Sequence, residues 1–187
     1  MSKVNTICGV DVSYSNGKAV AAAVLWSFSE NKSIKFSTCS WIPYFPYISG
    51  LLFMREAPIM IEAVNKLIVK PDLILVDGHG IAHPRRAGLA VIVGIILDLP
   101  VLGVAKSLLV GEIGNFKYGL APIILDSDIV GYAVKPPIGK IFYISPGNRI
   151  QVQDTMKIIK TIGSNYPVVL KKADSISRDV VNTIGIS

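Results

Sequence analysis

The first forty or so residues alternate between apolar stretches and short polar breaks, a pattern typical of a β-meander. Apolar and β-branched residues dominate positions 7–13, 19–28 and 34–42. Ser15-Asn16-Gly17 separates the first two stretches, and an Asn-Gly pair strongly favours a tight hairpin. A second polar turn covers 30–32. The pattern therefore predicts three antiparallel strands at the start of the fold.

The middle of the chain alternates between helical and strand periodicity. Apolar residues recur at helical spacing from Met60 to Ile68, and Pro58 suits the first turn of that helix. Apolar runs at 73–77 and 101–105 predict strands, and the run at 89–97 predicts a helix between them. Strands that are joined through helices usually pair in parallel and are buried on both faces.

The last third of the chain has weaker signals. We expect residues 111–121 to be irregular. The remaining predicted elements are short strands at 123–125, 129–134 and 141–144 and amphipathic helices at 151–162 and 175–184.

The order of these elements predicts the fold class. Three antiparallel strands followed by helix, strand, helix and strand is the order of the ribonuclease H-like fold. We therefore predict an α/β protein whose mixed central sheet, three antiparallel strands and then parallel strands, is flanked by helices. The length of 187 residues is that of one domain, so we expect a single domain over residues 1–187.

Composition narrows the function classes. Apolar residues make up 51% of the chain and charged residues 17%, which is typical of a protein with a large core. The net charge of +6 suits a polyanionic partner without indicating a reaction. Cys8 and Cys39 form no CxxC motif and predict buried, reduced thiols in a cytoplasmic protein. The longest apolar stretch, 87–97, is too short to cross a membrane, so no membrane partner is expected.

Two acidic residues stand in apolar strands. Asp11 is flanked by valines in the first strand, and Asp77 ends the run Leu-Ile-Leu-Val at 73–76. A carboxylate in such a place is costly unless it faces water, is paired or binds a metal. The first and fourth strands of the predicted fold are neighbours, so Asp11 and Asp77 would lie close enough to share Mg²⁺. An edge position with the Asp11 side chain in water is the competing interpretation.

The loop after Asp77 carries the most specific motif. Positions 77–86 are Asp-Gly-His-Gly-Ile-Ala-His-Pro-Arg-Arg. This string resembles the signature of the endonuclease V family, whose members nick DNA near deaminated adenine. The resemblance runs from about Gly9 to Asp174. It implies hydrolysis of the second phosphodiester bond 3′ to the lesion, with the damaged base left in place.

The resemblance also implies a set of metal-site residues. Asp11, Asp77 and Glu56 would hold Mg²⁺, with Mn²⁺ as a substitute. Glu56 stands in a Phe-Met-Arg-Glu run where the family has Phe-Arg-Glu. The competing interpretation is an acid without a catalytic role, since the helix dipole favours acidic residues near helix N-termini. Asp174 occupies the position of a family His or Asp. An Asp just before a helix is also a favoured N-cap, so Asp174 stays open between the two roles.

Substrate contacts implied by the resemblance come from several segments. Pro46-Tyr47-Ile48-Ser49 is similar to the family's Pro-Tyr-Ile-Pro wedge, whose aromatic ring enters the duplex at the lesion. Lys106 matches a lysine beside the scissile phosphate, and His83 would donate a proton to the phosphate or to the leaving oxygen.

Further DNA contacts are expected beside these. Arg55 adjoins the catalytic Glu, while Arg85 and Arg86 would bind backbone phosphates. Gly78 and Gly80 lack side chains that would obstruct an approaching base. The competing interpretation is that these are ordinary residues of a surface loop or a strand end.

The expected partner is therefore deoxyinosine-containing DNA, bound by a monomer. Three alternatives stay open: a ribonuclease specific for inosine in RNA, a nucleic-acid-binding module whose catalytic site has decayed, and an actin-like ATPase. The last depends only on a loose similarity of Gly9–Gly17 to a phosphate loop. The chain has no P-loop, GxSxG elbow or His-Glu-x-x-His motif.

Overall fold

A computed structural model describes residues 4–48 and 50–184, so Ser49, the last residue of the predicted wedge, lies outside the described residues. The elements in chain order are β1 (Thr6–Ser15), β2 (Lys18–Ser27), β3 (Lys32–Trp41), α1 (Leu52–Asn65), β4 (Leu73–Asp77), α2 (Leu89–Leu97), β5 (Val101–Ala105), β6 (Glu112–Ile113), β7 (Leu120–Leu125), β8 (Asp128–Val134), β9 (Phe142–Asn148), α3 (Val152–Ile162) and α4 (Val168–Ile184).

The chain forms two compact units. The first contains the described residues up to Asp77 and those from Val168 onward, and the second contains Gly78–Pro167. The strand order in the first unit is β3-β2-β1-β4, with β1 antiparallel to β2 and parallel to β4. This mixed sheet with its helices confirms the predicted fold class. The prediction of a single domain stays a prediction.

Helices cover both faces of the first sheet. Ser37 of β3 donates to the Ala63 carbonyl of α1, at 2.5 Å. Ser37 lies on the same face as Val10, because both pair in register with Ala23. The Ser13 hydroxyl is 2.7 Å from that of Ser177 on α4. Val10 and Ser13 point to opposite faces because side chains alternate along a strand. Therefore α1 packs on one face and α4 on the other.

The second unit is a sheet of five antiparallel strands in the order β5-β9-β8-β7-β6. Helix α2 packs on β5 and β9, and α3 packs on β8 and β9. Strands β6 and β7 occupy 112–113 and 120–121, so the prediction of an irregular segment over 111–121 was wrong at those positions, while 114–119 belong to no named strand or helix. Pairing with neighbouring strands, rather than local periodicity, stabilises β6 and β7.

Two predicted helix starts were wrong. Helix α1 begins at Leu52, so Pro58 lies inside the helix rather than in its first turn. Helix α4 begins at Val168 rather than Ser175. The added turns pack directly on β1: a side chain on Gly9 would come within 2.8 Å of the Val169 carbonyl group. This tertiary contact is not visible in the sequence.

Other features follow the sequence closely. Asn16 and Gly17 adopt φ angles of 47° and 75°, the left-handed pair that a tight hairpin requires. Cys8 and Cys39 are free and buried. None of the helices within 4–48 and 50–184 combines the length and apolar character that a membrane span requires.

Candidate active site

Asp11 and Asp77 lie on neighbouring strands at the same level. Val10 pairs with Val76 in the parallel ladder, and each aspartate is the next residue along its strand. Paired strands lie about 4.8 Å apart, and residues in register point to the same face. Asp11 shares its face with Ser13, so both carboxylates are on the side that α4 covers. Asp11 is buried and Asp77 is half-buried.

Glu56 supplies a third carboxylate from α1, the helix on the opposite face of the sheet from the one that Asp11 and Asp77 share. Its side chain is buried, on the same helical face as Met60 and Val64. Burial, together with the charge of Asp77, raises the pKa of Glu56 to about 7. Opposing this, the Tyr14 hydroxyl donates to Glu56 Oε1 over 3.0 Å. Glu56 therefore keeps its proton to a higher pH than an ordinary glutamate does.

Tyr14 is a site residue that the sequence analysis missed. Burial and the charge of Glu56 raise the pKa of its phenol, so the hydroxyl stays protonated and donates to the carboxylate. The Arg55 guanidinium lies 4.5 Å from the centre of the Tyr14 ring. Arg55 also donates to the Phe45 carbonyl, at 3.3 Å. A tyrosine three residues after a strand aspartate is the sequence signal that could have identified it.

Asp174 lies within α4 and is not an N-cap, so that alternative was wrong. Helix α4 contacts Gly9 through Val169 and Ser13 through Ser177. Asp174 falls between these contacts along the helix, as Asp11 falls between them along β1. Both Asp174 carboxylate oxygens are 2.7 Å from Arg178. As a metal ligand, Asp174 would share its charge with this arginine.

The carboxylates fit a hard divalent cation in chemistry and in electrostatics. Asp11 and Asp77 supply the oxygen ligands that Mg²⁺ prefers, and the raised pKa of Glu56 marks a place where added positive charge is favourable. Asp11 Oδ1 accepts the Val12 N–H at 2.8 Å. Across the described residues, no three His, Cys, Asp or Glu side chains already stand at metal-ligand spacing. The protein thus provides the charge for a cation but not a closed ligand cage.

Glu56→Gln is expected to remove much of the pH dependence of stability in the metal-free protein. Because folding raises the pKa of Glu56 from 4.5 to about 7, the wild-type free energy of unfolding falls as pH rises through this interval. The loss attributable to Glu56 is about 3 kcal/mol. Urea unfolding in EDTA at about pH 5 and about pH 8 measures it. Identical pH profiles for variant and wild type would contradict the assignment.

The predicted wedge residues lie in the exposed segment between β3 and α1. Tyr47 is 69% exposed, and Pro46 and Ile48 are also exposed. The hydrogen bond from Arg55 to the Phe45 carbonyl ties this segment to α1, next to Glu56. The structure therefore places Arg55 as a support of the wedge segment and presents the Tyr47 ring to solvent.

Lys106 and His83 belong to the second unit. Lys106 follows β5, is exposed, and has its ammonium 5.7 Å from the centre of the Tyr166 ring. His83 is buried, and its Nδ1 accepts the Arg85 backbone N–H at 3.3 Å. A neutral His83 that accepts at Nδ1 carries its proton on Nε2. This is the tautomer that a proton donor at Nε2 requires.

The two arginines of the loop differ. Arg85 is exposed. Arg86 donates to the Leu125 carbonyl at 3.0 Å and forms ion pairs with Asp126 and Asp128 at 3.6 and 3.3 Å. These contacts bind Arg86 to the β7–β8 turn. A phosphate would have to compete with two carboxylates for this guanidinium.

The glycines of the loop serve the packing of the backbone. A side chain on Gly80 would come within 2.0 Å of the Pro146 carbonyl oxygen. The Gly80 N–H donates to Ser145 Oγ, and the Gly78 N–H donates to Val104. The space that glycine leaves open at position 80 is therefore filled by the protein. The sequence suggested that a base could approach the backbone here, but the Pro146 carbonyl lies against the Gly80 α-carbon.

Gly80→Ala is consequently expected to destabilise the fold in the absence of any ligand. The overlap with the Pro146 carbonyl forces a backbone shift that costs about 3 kcal/mol. Chemical denaturation measures this cost. Gly17→Asn is the control, because that position has open space and a φ that asparagine tolerates. Unchanged stability with a specific loss of inosine binding would instead favour a ligand contact.

Comparison with known proteins decides the family. The family model of Endonuclease V matches residues 1–175. This chain belongs to the Endonuclease V family. It is 40% identical over 183 residues to the Endonuclease V of Sulfurisphaera tokodaii, which covers 96% of this chain and 85% of that protein.

Solved structures of Endonuclease V proteins share the fold. The protein from Streptomyces avermitilis superposes with a TM-score of 0.88 at 32% identity, covering 97% of this chain and 83% of that one. The Ciona intestinalis Endonuclease V superposes with a TM-score of 0.87 at 28% identity, covering 98% and 89% respectively. The Ciona protein was crystallised with a 24mer DNA that contains an inosine followed by a ribo-adenosine.

Proposed function

We propose that this member of the Endonuclease V family is a Mg²⁺-dependent repair endonuclease that recognises deoxyinosine in DNA. It would hydrolyse the second phosphodiester bond 3′ to the lesion. The observation that carries the proposal is the placement of Asp11 and Asp77 side by side on parallel strands, with Glu56 electrostatically coupled to Asp77. Binding of inosine-containing DNA by the Ciona relative supports the choice of substrate.

Asp11 and Asp77 would hold the divalent ion, together with Glu56. When bound, such an ion activates a water and neutralises charge that develops on the phosphate. The Tyr14 hydroxyl orients Glu56 through its hydrogen bond to Oε1. Asp174 adds negative charge from α4, which Arg178 partly offsets.

We assign roles to two further residues on the strength of the family resemblance. Lys106 would neutralise the scissile phosphate. His83 would protonate the leaving oxygen from Nε2, since its Nδ1 accepts a backbone hydrogen bond.

Recognition of the lesion would depend on the wedge segment. Deaminated adenine pairs poorly, so its extrusion from the duplex costs less than that of a paired base. An exposed Tyr47 on a proline-stiffened segment is suited to stack where the base has left. Pro46 and Ile48 would limit the freedom of the ring. Arg85 would bind the backbone phosphates.

A ribonuclease specific for inosine in RNA is the second candidate. It is favoured by the ribo-adenosine that follows the inosine in the strand bound by the Ciona protein. A ribonucleotide at that position supplies a 2′-hydroxyl, the group that distinguishes RNA from DNA.

Matched single-inosine DNA and RNA oligonucleotides, incubated with Mg²⁺ or Mn²⁺, test both candidates. The proposal predicts a cut in the DNA duplex at the second bond 3′ to inosine. Cleavage of RNA alone would replace it with the second candidate. Tight binding with no cleavage under either ion would identify a catalytically decayed binding module.

We further propose that the protein acts as a monomer in the cytoplasm. Two free, buried cysteines in a chain of this size are typical of reducing compartments. Light scattering of the purified protein checks the monomer, and a dimer would contradict it.

A further inference from the structure

The second unit contains a cavity that none of the roles above uses. It has a volume of about 650 Å³, within the range of small-ligand pockets. Pro122 of β7 and Met156 and Ile159 of α3 supply apolar walls. The polar lining comes from amide, hydroxyl and lysine groups, and no acidic side chain of the described residues belongs to the lining.

A fully exposed tyrosine stands at the edge of the cavity. Tyr118 and Gly119 have φ angles of 52° and 79°, and Lys117 and Leu120 exchange two backbone hydrogen bonds across them. This is a two-residue hairpin in which Asn or Gly is the usual first residue. Tyr118 instead occupies that position, and its side chain is fully exposed. The ring is thus held in a conformation that disfavours tyrosine without being buried in return, which leaves both of its faces open to a ligand.

Two lysines give the cavity its charge. Lys117 lies beside the tyrosine in the hairpin, and Lys160 lies in the last turn of α3. Their ammonium groups give positive charge to a cavity that is otherwise apolar and aromatic. No carboxylate of the described lining residues offsets this charge. Such a combination suits a ligand that has both a flat ring and a negative charge.

We infer that this cavity binds unpaired nucleotides of the nucleic acid substrate, with a base stacked on Tyr118 and phosphates on Lys117 and Lys160. Aromatic rings and lysines together are the common means of binding single strands without sequence preference. The inference rests on the proposed function only in that the chain acts on nucleic acid. An apolar protein segment fits the charge less well, because it offers nothing to the two lysines.

Binding of a short fluorescein-labelled oligothymidine, followed by anisotropy, tests the cavity without any inosine. Tyr118→Asn keeps a residue that tolerates the turn and removes the ring, so we expect about tenfold weaker binding. Tyr118→Phe keeps the stacking surface and should bind as the wild type does. The double variant Lys117→Gln/Lys160→Gln should lower the salt dependence, by about 0.7 in the log–log slope for each lysine.

Lys140→Gln/Lys157→Gln is the matched control, because it removes two positive charges from exposed positions of the same unit outside the cavity. Wild-type affinity in Tyr118→Asn and in the Lys117→Gln/Lys160→Gln variant would overturn the inference. So would equal losses in the control variant, which would indicate net charge alone. A cavity-dependent loss of oligothymidine binding would support it.

Cleavage of an inosine duplex by the same proteins separates this inference from the proposed function. Wild-type protein that binds oligothymidine through Tyr118 but does not cut would leave the cavity assigned and the proposed function wrong. If the wild-type protein cuts and the cavity variants bind and cut normally, the proposed function stands and the cavity inference is wrong.

Discussion

Asp77→Ala is expected to lower kcat for cleavage of inosine-containing DNA by about a thousandfold, with affinity for that DNA largely unchanged. Asp77 shares its level in the sheet with Asp11 and acts electrostatically on Glu56, so its removal takes away a central carboxylate of the proposed ion site. Loss of a bound ion forfeits several kcal/mol of stabilisation of the phosphate in the transition state. Single-turnover cleavage and anisotropy measure the two effects separately.

Asp179→Ala is the control for charge, because it removes one carboxylate from an exposed position of α4. It should cleave at the wild-type rate. An Asp77→Ala protein that cuts as fast as the wild type would contradict the metal assignment. A protein that loses affinity and rate in equal measure would indicate a binding role instead.

Tyr47→Ala is expected to reduce the preference for inosine over adenine by about tenfold or more, while the dependence on divalent ions persists. The Tyr47 ring is exposed rather than packed in the core, so its removal should not unfold the protein. Stacking on a base contributes about 1–3 kcal/mol, which sets the expected size of the effect. The ratio of kcat/KM on matched inosine and adenine duplexes measures it.

Tyr44→Ala provides the comparison within the same segment. Tyr44 is also exposed, but its ring packs edge-to-face against Trp41 with a centroid distance of 6.0 Å. Its removal should leave the discrimination intact. Equal loss in both variants would show that the segment, rather than the Tyr47 ring, carries the recognition.

The fold was predictable where local chemistry determines it. Asn16-Gly17 predicted its hairpin, because only residues that tolerate positive φ suit that turn. The start of α4 was not predictable, because the turns beginning at Val168 depend on the bare backbone of Gly9. The sequence separates these two residues by most of its length. An error of this kind also produced the N-cap interpretation of Asp174.

The residue types of the candidate site were predictable from the sequence, whereas the contacts between its side chains were less so. Asp11 and Asp77 stand out because carboxylates are rare in apolar strands, and their shared level follows from parallel pairing. Tyr14 and the support that Arg55 gives to Phe45 depend on side-chain directions between two elements. Gly80 was assigned to an approaching base, whereas the Pro146 carbonyl occupies that space.

The central claim is that acidic side chains from β1 and β4 share one divalent ion. Anomalous diffraction from a crystal soaked in Mn²⁺ tests it most directly. We predict a single strong peak in contact with the carboxylates of Asp11 and Asp77, absent from crystals of Asp77→Ala. A peak that contacts neither aspartate, or none in a protein that cuts with Mn²⁺, would contradict the account.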